Sequence, residues 1–220
     1  MKYKLLFATL ILFQAISIIA QPILTQTFKF QSGVFLSYEE FQSNQPSYSG
    51  DEIKAAYFHN PQTEEIKVEY IRIEAEDTYL KLDSIWGISI KGIPYVQVPI
   101  NKPTKGLQTF AKMEVRGNIC YYFYNDIEKK KIPFSAYNPF TQRPYRTAVL
   151  EREIPVVKEK ILRFETGVVT DFTYDNVLEW IQDEPELVQA LKSLGAQQAE
   201  KGLFKTLLLY DDRHEVRLKN

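Results

Sequence analysis

The stretch LQTFAKMEVRGNICYYFY, residues 107–124, decides the fold. Its two apolar runs, residues 107–115 and 119–124, flank the turn residues Gly117 and Asn118, and this pattern predicts an antiparallel hairpin. The second run carries four consecutive aromatic residues. Because successive side chains of a strand point to opposite faces, aromatic rings lie on both faces of the predicted sheet.

This aromatic strand has two interpretations. If one face of the sheet stays open, Tyr122 and Tyr124 form an aromatic binding face that stacks on a sugar or anchors a protein partner. Alternatively, both faces are covered, and the C-terminal helices provide the second cover. The helices' own need for an apolar surface to pack on favours the covered sheet.

Strand patterns recur on both sides of this hairpin. Residues 66–70 alternate between apolar and polar, as in a half-buried strand with Ile66, Val68 and Tyr70 on its inner face. Lys91-Gly92 predicts a tight turn between two further strands. Pro94 and Pro99 predict that the second of these is an edge strand, or a strand whose N–H groups face out, because proline cannot donate to a ladder.

The region after the aromatic strand is more polar. Residues 126–131 are interpreted as a charged turn, in which the three lysines are solvated and balanced by acidic neighbours. Residues 133–146 contain three prolines and are predicted to form a long loop. Strands resume at residues 147–152 and 156–164.

Helices are predicted near both ends. Ser37-Tyr38-Glu39-Glu40 matches a capping box and predicts a short helix. Residues 175–182 have apolar residues at helical spacing. Asp183 starts another helix as N-cap, with Glu186 at the N3 position, and residues 211–220 are predicted to be a charged tail. The apolar stripe of this second helix consists of Leu187, Leu191 and Leu194.

These elements predict an α+β fold. A mostly antiparallel, curled or sandwich-like sheet packs against a short N-terminal helix and a C-terminal helical pair. We expect a single β-rich domain over residues 21–220, with its helical part at about residues 173–210.

The first 20 residues are predicted to be a cleavable signal peptide. Lys2 and Lys4 precede an apolar run, and Ala20 is a small residue that suits the position before a cleavage site. We therefore expect an exported protein, periplasmic or secreted, with no stable membrane span after cleavage. No cysteine follows the apolar run, so we do not expect a lipoprotein.

Charge and composition exclude several classes of function. The formal net charge of −1 provides no basic surface for nucleic acid and argues against attachment to anionic membranes. The sequence contains no nucleophile elbow, phosphate-binding loop, dinucleotide fingerprint or calcium-binding loop. We therefore predict no catalytic, cofactor-binding or metal-ligating residues.

Individual residues with reactive side chains have structural interpretations. Two histidines, His59 and His214, cannot build a His-rich metal site and are predicted to lie at the surface. Cys120 lies in the apolar strand and is predicted to be buried and inert. Asp171 and Asp175 flank a helix start, where capping and the helix dipole favour carboxylates.

Three patches carry a resemblance to a known family. They are GVFLSYEEF (33–41) with QPS (45–47), DSIWGI (83–88) with Gly92 and Tyr95, and DEPEL (183–187). Together they resemble a family of small exported proteins of Bacteroidetes-type bacteria. That family usually has an acidic or polar residue just before the glycine of the second patch, whereas Ile90-Lys91 precede it here. The resemblance implies an exported envelope or secreted protein; it implies no activity and transfers no functional residues.

Two functions are compatible with these features. The first is a non-enzymatic exported binding or structural module of the bacterial cell envelope, whose partner is an envelope protein or a glycan. The alternative is a hydrolase that uses paired carboxylates on an envelope glycan, which requires two carboxylates across a cleft. A carboxylate-lined cleft would favour the alternative.

Overall fold

The computed structural model describes residues 21–219, and of Tyr145 and residues 195–200 only the backbone. The predicted signal peptide, residues 1–20, lies outside the described residues. The strands are β1 (Ile23–Leu24), β2 (Gly33–Phe35), β3 (Tyr48–Ser49), β4 (Ile53–His59), β5 (Ile66–Ile73), β6 (Thr78–Tyr79), β7 (Gly87–Ile90), β8 (Ile93–Gln97), β9 (Gln108–Val115), β10 (Ile119–Tyr137), β11 (Pro144–Arg163), β12 (Val169–Asp171) and β13 (Val216–Arg217). The helices are α1 (Tyr38–Ser43), α2 (Tyr174–Trp180), α3 (Pro185–Ser193) and α4 (Gly195–Arg213), with a 3₁₀ turn at Leu82–Ser84.

All strand pairs within residues 21–219 are antiparallel. The main sheet has the order β12-β11-β10-β9-β8-β7-β2-β3, and β5 pairs with β9 and carries β4 and β6. A separate ladder joins β1 to β13, so the two ends of the described chain lie side by side. The predicted α+β class with a mostly antiparallel, curled sheet is confirmed.

Strand β10 lies between two cores. Cys120, Tyr122 and Tyr124 point into an aromatic-rich core that β2, β8, β9 and β11 also line. Ile119 and Tyr121 point the other way, into a second core formed with α2, α3 and α4. The alternation of side chains along one strand therefore connects the curled sheet to the C-terminal helices.

The first core is built around α1. Ser37 caps this helix by accepting the N–H of Glu40 at 3.3 Å, as the capping box predicts. The Glu40 carboxylate accepts the N–H of Leu36 at 2.7 Å, one residue earlier than the motif predicts. Phe41 is thereby held among aromatic rings. Its centroid lies 4.5 Å from Phe30, 5.6 Å from Phe35 and 4.6 Å from Trp86.

The Lys91-Gly92 turn is confirmed, but the edge position of β8 is wrong. Lys91 and Gly92 have φ values of 53° and 84°, as a two-residue primed turn requires. Strand β8 lies inside the sheet, between β7 and β9. It tolerates Pro94 because pairing with β9 begins only at Tyr95.

The inward direction predicted for Tyr70 is also wrong. Ile66 and Val68 are buried, but Tyr70 is exposed and Ile71 is buried instead. The register between β4 and β5 shifts at this point, where Ala56 pairs with Tyr70 and Tyr57 with Val68. The unpaired Glu69 forms a bulge, which reverses the alternation along the rest of β5.

The C-terminal region contains three helices rather than the predicted pair. Leu187 and Leu191 are buried as predicted. Asp183 is not the N-cap of α3; Glu184 occupies that position, with Pro185 in the first turn. Residues 211–220 are not simply a charged tail, because α4 continues to Arg213 and β13 then pairs with β1.

Candidate functional site

Tyr122 and Tyr124 do not form an exposed binding face. Each side chain is only 4% exposed and belongs to the aromatic core. Both faces of this strand are covered, as the second interpretation predicts, and the C-terminal helices cover the face opposite these two tyrosines. Burial also raises the pKa of the Tyr122 hydroxyl. The exposed aromatic residues lie elsewhere, at the far end of the same strand.

Strands β10 and β11 continue together out of the body of the protein. They pair at nineteen positions, and the last nine, from Lys129–Glu153 to Tyr137–Pro144, form a two-stranded ribbon whose side chains are mostly exposed. We call residues 129–153 the arm. At about 3.3 Å per residue, nine pairs extend about 30 Å. The predicted charged turn at 126–131 and the predicted loop at 133–146 are therefore wrong.

Cross-strand charges explain why the charged segment forms a strand rather than a turn. Lys129 lies opposite Glu153 and Lys131 opposite Glu151, where Nζ and Oε1 are 3.9 Å apart. Opposite charges on facing residues stabilise an antiparallel pair. Lys102, from the body, also contacts Glu153 at 2.6 Å.

The tip of the arm is an ordered six-residue loop. The side-chain oxygen of Asn138 accepts the N–H groups of Phe140 at 2.9 Å and Thr141 at 3.3 Å. Its backbone N–H donates to the carbonyl of Arg143, and its carbonyl accepts the N–H of Gln142. These bonds hold the ring of Phe140 at the apex, where it is 95% exposed.

Large apolar side chains cover both faces of the arm. Directly paired residues share a face, so Ile132 and Leu150 lie together on one side. The exposed apolar side chains of the arm are Ile132, Phe134, Tyr137, Phe140, Val149 and Leu150. Exposed apolar surface of this density marks an interaction site more often than isolated exposed residues do.

Hydrogen bonds to two buried carboxylates fix the root of the arm. The Asp126 carboxylate accepts the N–H groups of Asn101 at 2.9 Å and Ile127 at 2.8 Å, and the side-chain amide of Asn101 at 2.7 Å. Glu65 accepts the backbone and side-chain N–H groups of Asn125 at 2.5 and 3.1 Å. The segment after β8 and the start of β5 therefore both hold β10 where it leaves the body.

A cleft of about 430 Å³ opens beside this root, and Glu65 and Asp126 both line it. A hydrolase of the predicted type needs one carboxyl group as acid and another as base or nucleophile. Both oxygens of Asp126 are engaged by scaffold N–H groups. Asn125, the partner of Glu65, projects to the opposite face of β10 from Asp126. This geometry gives the carboxylates a structural role at the root.

A second polar cluster surrounds the turn between β9 and β10. The Asp211 carboxylate accepts the N–H of Ile119 at 2.8 Å, while its other oxygen is buried without a hydrogen-bond partner. The side-chain oxygen of Asn118 is likewise buried and unpaired. Burial raises the pKa of Asp211 to about 7, partly opposed by the N–H groups of Ile119 and Asn118. This carboxyl connects the end of α4 to the hairpin turn.

The remaining predicted residues have structural positions. Cys120 is fully buried, and burial raises the pKa of its thiol to about 12, so it is a poor nucleophile. His59 is exposed near Glu64. His214 is partly exposed: its Nε2 lies 2.9 Å from Glu184, and its ring stacks on Tyr210. Asp171 pairs with Lys160.

Among the side chains that the structure describes, no three or more of His, Cys, Asp or Glu lie close enough together to hold a metal ion. None of the helices described between residues 21 and 219 combines the length and apolar character of a membrane span.

Comparison of the chain with protein-family models, curated proteins and solved structures finds no match.

Sequence reasoning missed the arm as a functional site, although the sequence contains a signal for it. Three residues separate the apolar triplet Ile132-Pro133-Phe134 from the Asn138–Arg143 tip, four residues separate the triplet Ala148-Val149-Leu150 from it, and charged residues follow on the far side of both. This near-symmetric pattern is typical of a hairpin. The three prolines obscured it: Pro139 lies in the tip loop, and Pro133 and Pro144 lie in a ribbon with open edges, where proline is tolerated.

Replacement of Asp126 by alanine tests the root of the arm. Asp126→Ala leaves the N–H groups of Asn101 and Ile127 unpaired, so we expect the free energy of unfolding to fall by about 1–3 kcal/mol in urea denaturation. The control is Asp51→Ala at an exposed turn, with an expected change within about 0.5 kcal/mol. Equal, small effects for both variants would show that Asp126 does not clamp the root.

The raised pKa of Asp211 predicts a pH-dependent effect of Asp211→Asn. Its folded-state pKa of about 7 exceeds the ordinary value of 3.8, so its stabilising contribution is complete below pH 3.8 and is lost as the pH rises through 7. Asparagine cannot lose a proton. We expect the stability of the variant relative to the wild type to increase by about 1.4 kcal/mol per pH unit between these values. The control is Asp212→Asn, at the exposed neighbouring position. If the stability difference between Asp211→Asn and the wild type did not change with pH, the raised pKa of Asp211 would be contradicted.

Proposed function

We propose that this protein is a non-enzymatic, exported binding or structural module of the bacterial cell envelope, and that the arm is its contact surface. One observation carries the proposal: a two-stranded ribbon leaves the body with apolar side chains on both faces and an aromatic ring at its ordered tip. Export and the envelope location rest on the signal-peptide pattern of residues 1–20 and on the family resemblance.

The composition of the arm suits protein recognition. Large aromatic residues and arginine dominate the binding energy of protein interfaces, and the arm presents Phe134, Tyr137 and Phe140 together with Arg143 and Arg146. Because Asn138 already orders the tip, a partner that binds Phe140 does not have to order a flexible loop. Such preorganisation increases affinity by lowering the entropy lost on binding.

The carboxylate hydrolase has weaker support. Its specific observation is the root cleft, which Glu65 and Asp126 line. Both carboxylates accept hydrogen bonds from the scaffold, and the exposed aromatic residues of the arm lie beyond the root rather than around the cleft. A binding role uses the exposed arm directly.

Affinity capture from cell-envelope extract tests the proposal. The baits are the wild-type chain, the arm variant Phe134→Ser/Phe140→Ser, and Val168→Ser as the control, because Val168 is an exposed apolar residue remote from the arm. We expect the arm variant to retain less than about a tenth of the partner that the wild type captures, since each ring is a candidate hot spot. The control should capture the partner like the wild type.

Two results would contradict the proposal. Equal capture by the arm variant and the wild type would exclude the arm as the contact surface. Hydrolysis of envelope glycan that Glu65→Gln abolishes and the arm variant retains would instead establish the hydrolase.

A further inference from the structure

We propose that the arm of one copy of this chain docks on the outer face of β4, β5 and β6 of a second copy, so that the protein assembles with itself. This inference rests on the proposed function, because it names the partner of the arm.

The acceptor face carries the other group of exposed aromatic residues. Phe58, Tyr70 and Tyr79 are 60%, 40% and 66% exposed. Tyr70 pairs with Ala56, and Tyr79 pairs with Arg72, which places these side chains and Phe58 on one face of the three strands. The rings of Tyr70 and Tyr79 meet edge to face at 5.6 Å. The two packed rings form an apolar surface against which the arm can pack.

Formal net charge has opposite sign in the arm and in the segment that contains the acceptor strands. The arm has six basic and two acidic residues, a charge of +4, whereas the whole chain has −1 and the residues outside the arm therefore have −5. Residues 51–83, which contain the acceptor strands, have nine acidic and four basic residues, a charge of −5. Complementary charge of this size steers association between copies and opposes contact between two arms.

Ion pairs on the acceptor face leave acidic groups available to the arm. Lys54 pairs with Glu74 at 2.6 Å and Arg72 with Asp77 at 2.8 Å, so two basic and two acidic side chains neutralise one another. Lys67, opposite Phe58, is a further basic residue on this face. Glu69, at the bulge, and Glu76 remain exposed. Near the tip of the arm, Arg143 and Arg146 have no acidic neighbour in sequence between Ile132 and Leu150.

One face of the ribbon can lie on the acceptor face. Phe134 and Tyr137 project to opposite faces, so the docked face has Ile132, Phe134 and Leu150, with Phe140 at the tip. Since a buried aromatic side chain contributes about 150–250 Å², the exposed parts of Phe134 and Phe140 offer about 300 Å², to which Ile132 and Leu150 add. A pair of copies that exchange arms forms this contact twice.

A second copy supplies a surface that the arm does not reach in its own chain. The arm is a direct continuation of β10 and β11, and hydrogen bonds clamp its root through Asp126 and Glu65. Its apolar side chains and those of the acceptor face are all exposed in one copy. Both complementary surfaces are thus available on every copy.

Charge reversal with mixing tests the proposal on the full-length gene product. The arm-reversed variant is Arg143→Glu/Arg146→Glu, and the face-reversed variant is Glu69→Lys/Glu76→Lys. Sedimentation equilibrium over a wide range of concentration measures self-association. We expect the wild type to associate, each variant alone to associate at least about tenfold more weakly, and an equimolar mixture to recover, because each arm then meets a face of opposite charge.

Several results would overturn the proposal. They are a wild type that stays monomeric at all concentrations, a face-reversed variant that associates like the wild type, and a mixture that does not recover. Binding of a monomeric wild type to anionic lipid vesicles, lost in the arm-reversed variant, would assign the arm to a lipid surface instead. Circular dichroism and thermal unfolding check the fold of each variant, and Arg146→Gln with Glu76→Gln repeats the test with milder changes.

The failure of self-assembly and the failure of the proposed function give different results. A wild type that stays monomeric, combined with loss of envelope capture by Phe134→Ser/Phe140→Ser, would overturn self-assembly and leave the arm as a contact surface for another protein. Self-association that depends on Arg143, Arg146, Glu69 and Glu76 supports both proposals.

Discussion

The pairing of β10 with β11 is the constraint on which the rest of the structure depends. Nineteen paired positions run from the inside of the protein to the tip of the arm, with one register shift, between Ala136 and Tyr137. At the inner end, the ribbon is covered on both faces, by the aromatic core and by the C-terminal helices. At the outer end, both faces are exposed. One ladder of hydrogen bonds therefore joins a packed interior to an unpacked surface, and the body holds the arm in a defined direction.

An exposed ribbon with open edges invites unwanted strand pairing, and this chain limits that risk. Lysine and arginine residues lie close to the apolar triplets, and Pro133 in one strand and Pro144 in the other have no backbone N–H to offer to a further strand. The ion pairs within the arm are exposed, so each contributes little to stability. The hydrogen bonds at Asp126 and Glu65 matter more, because they hold buried groups at the point where packing ends.

Much of the body could be predicted from local patterns. The capping box of α1, the Lys91-Gly92 turn and the hairpin at Gly117 each have short-range signals, and burial of Cys120 followed from its apolar neighbours. The bulge at Glu69 could not be predicted, because it depends on the register against β4. The structural role of Asp211 depends on a contact between residues far apart in sequence.

The candidate site was the hardest part to predict. The four consecutive aromatic residues suggested Tyr122 and Tyr124 as a binding face. Alternation predicts that these two side chains share a face of the sheet, but the segments that bury them are distant in sequence. The arm was not predicted because a segment rich in lysine and proline, considered alone, indicates a turn or loop. Residues 129–137 form a strand because they pair with residues 144–153. A segment that packs on nothing in its own chain leaves no amphipathic pattern from which to infer a partner.

Hydrogen exchange of the backbone amides tests the central claim that β10 and β11 form a single ribbon from core to tip. The account predicts slow exchange of the amides that hydrogen-bond across the ribbon in residues 129–137 and 144–153, alternating with fast exchange of the outward-facing amides on its two open edges. Protection that ends at Asn125, with rapid exchange throughout residues 126–152, would contradict it.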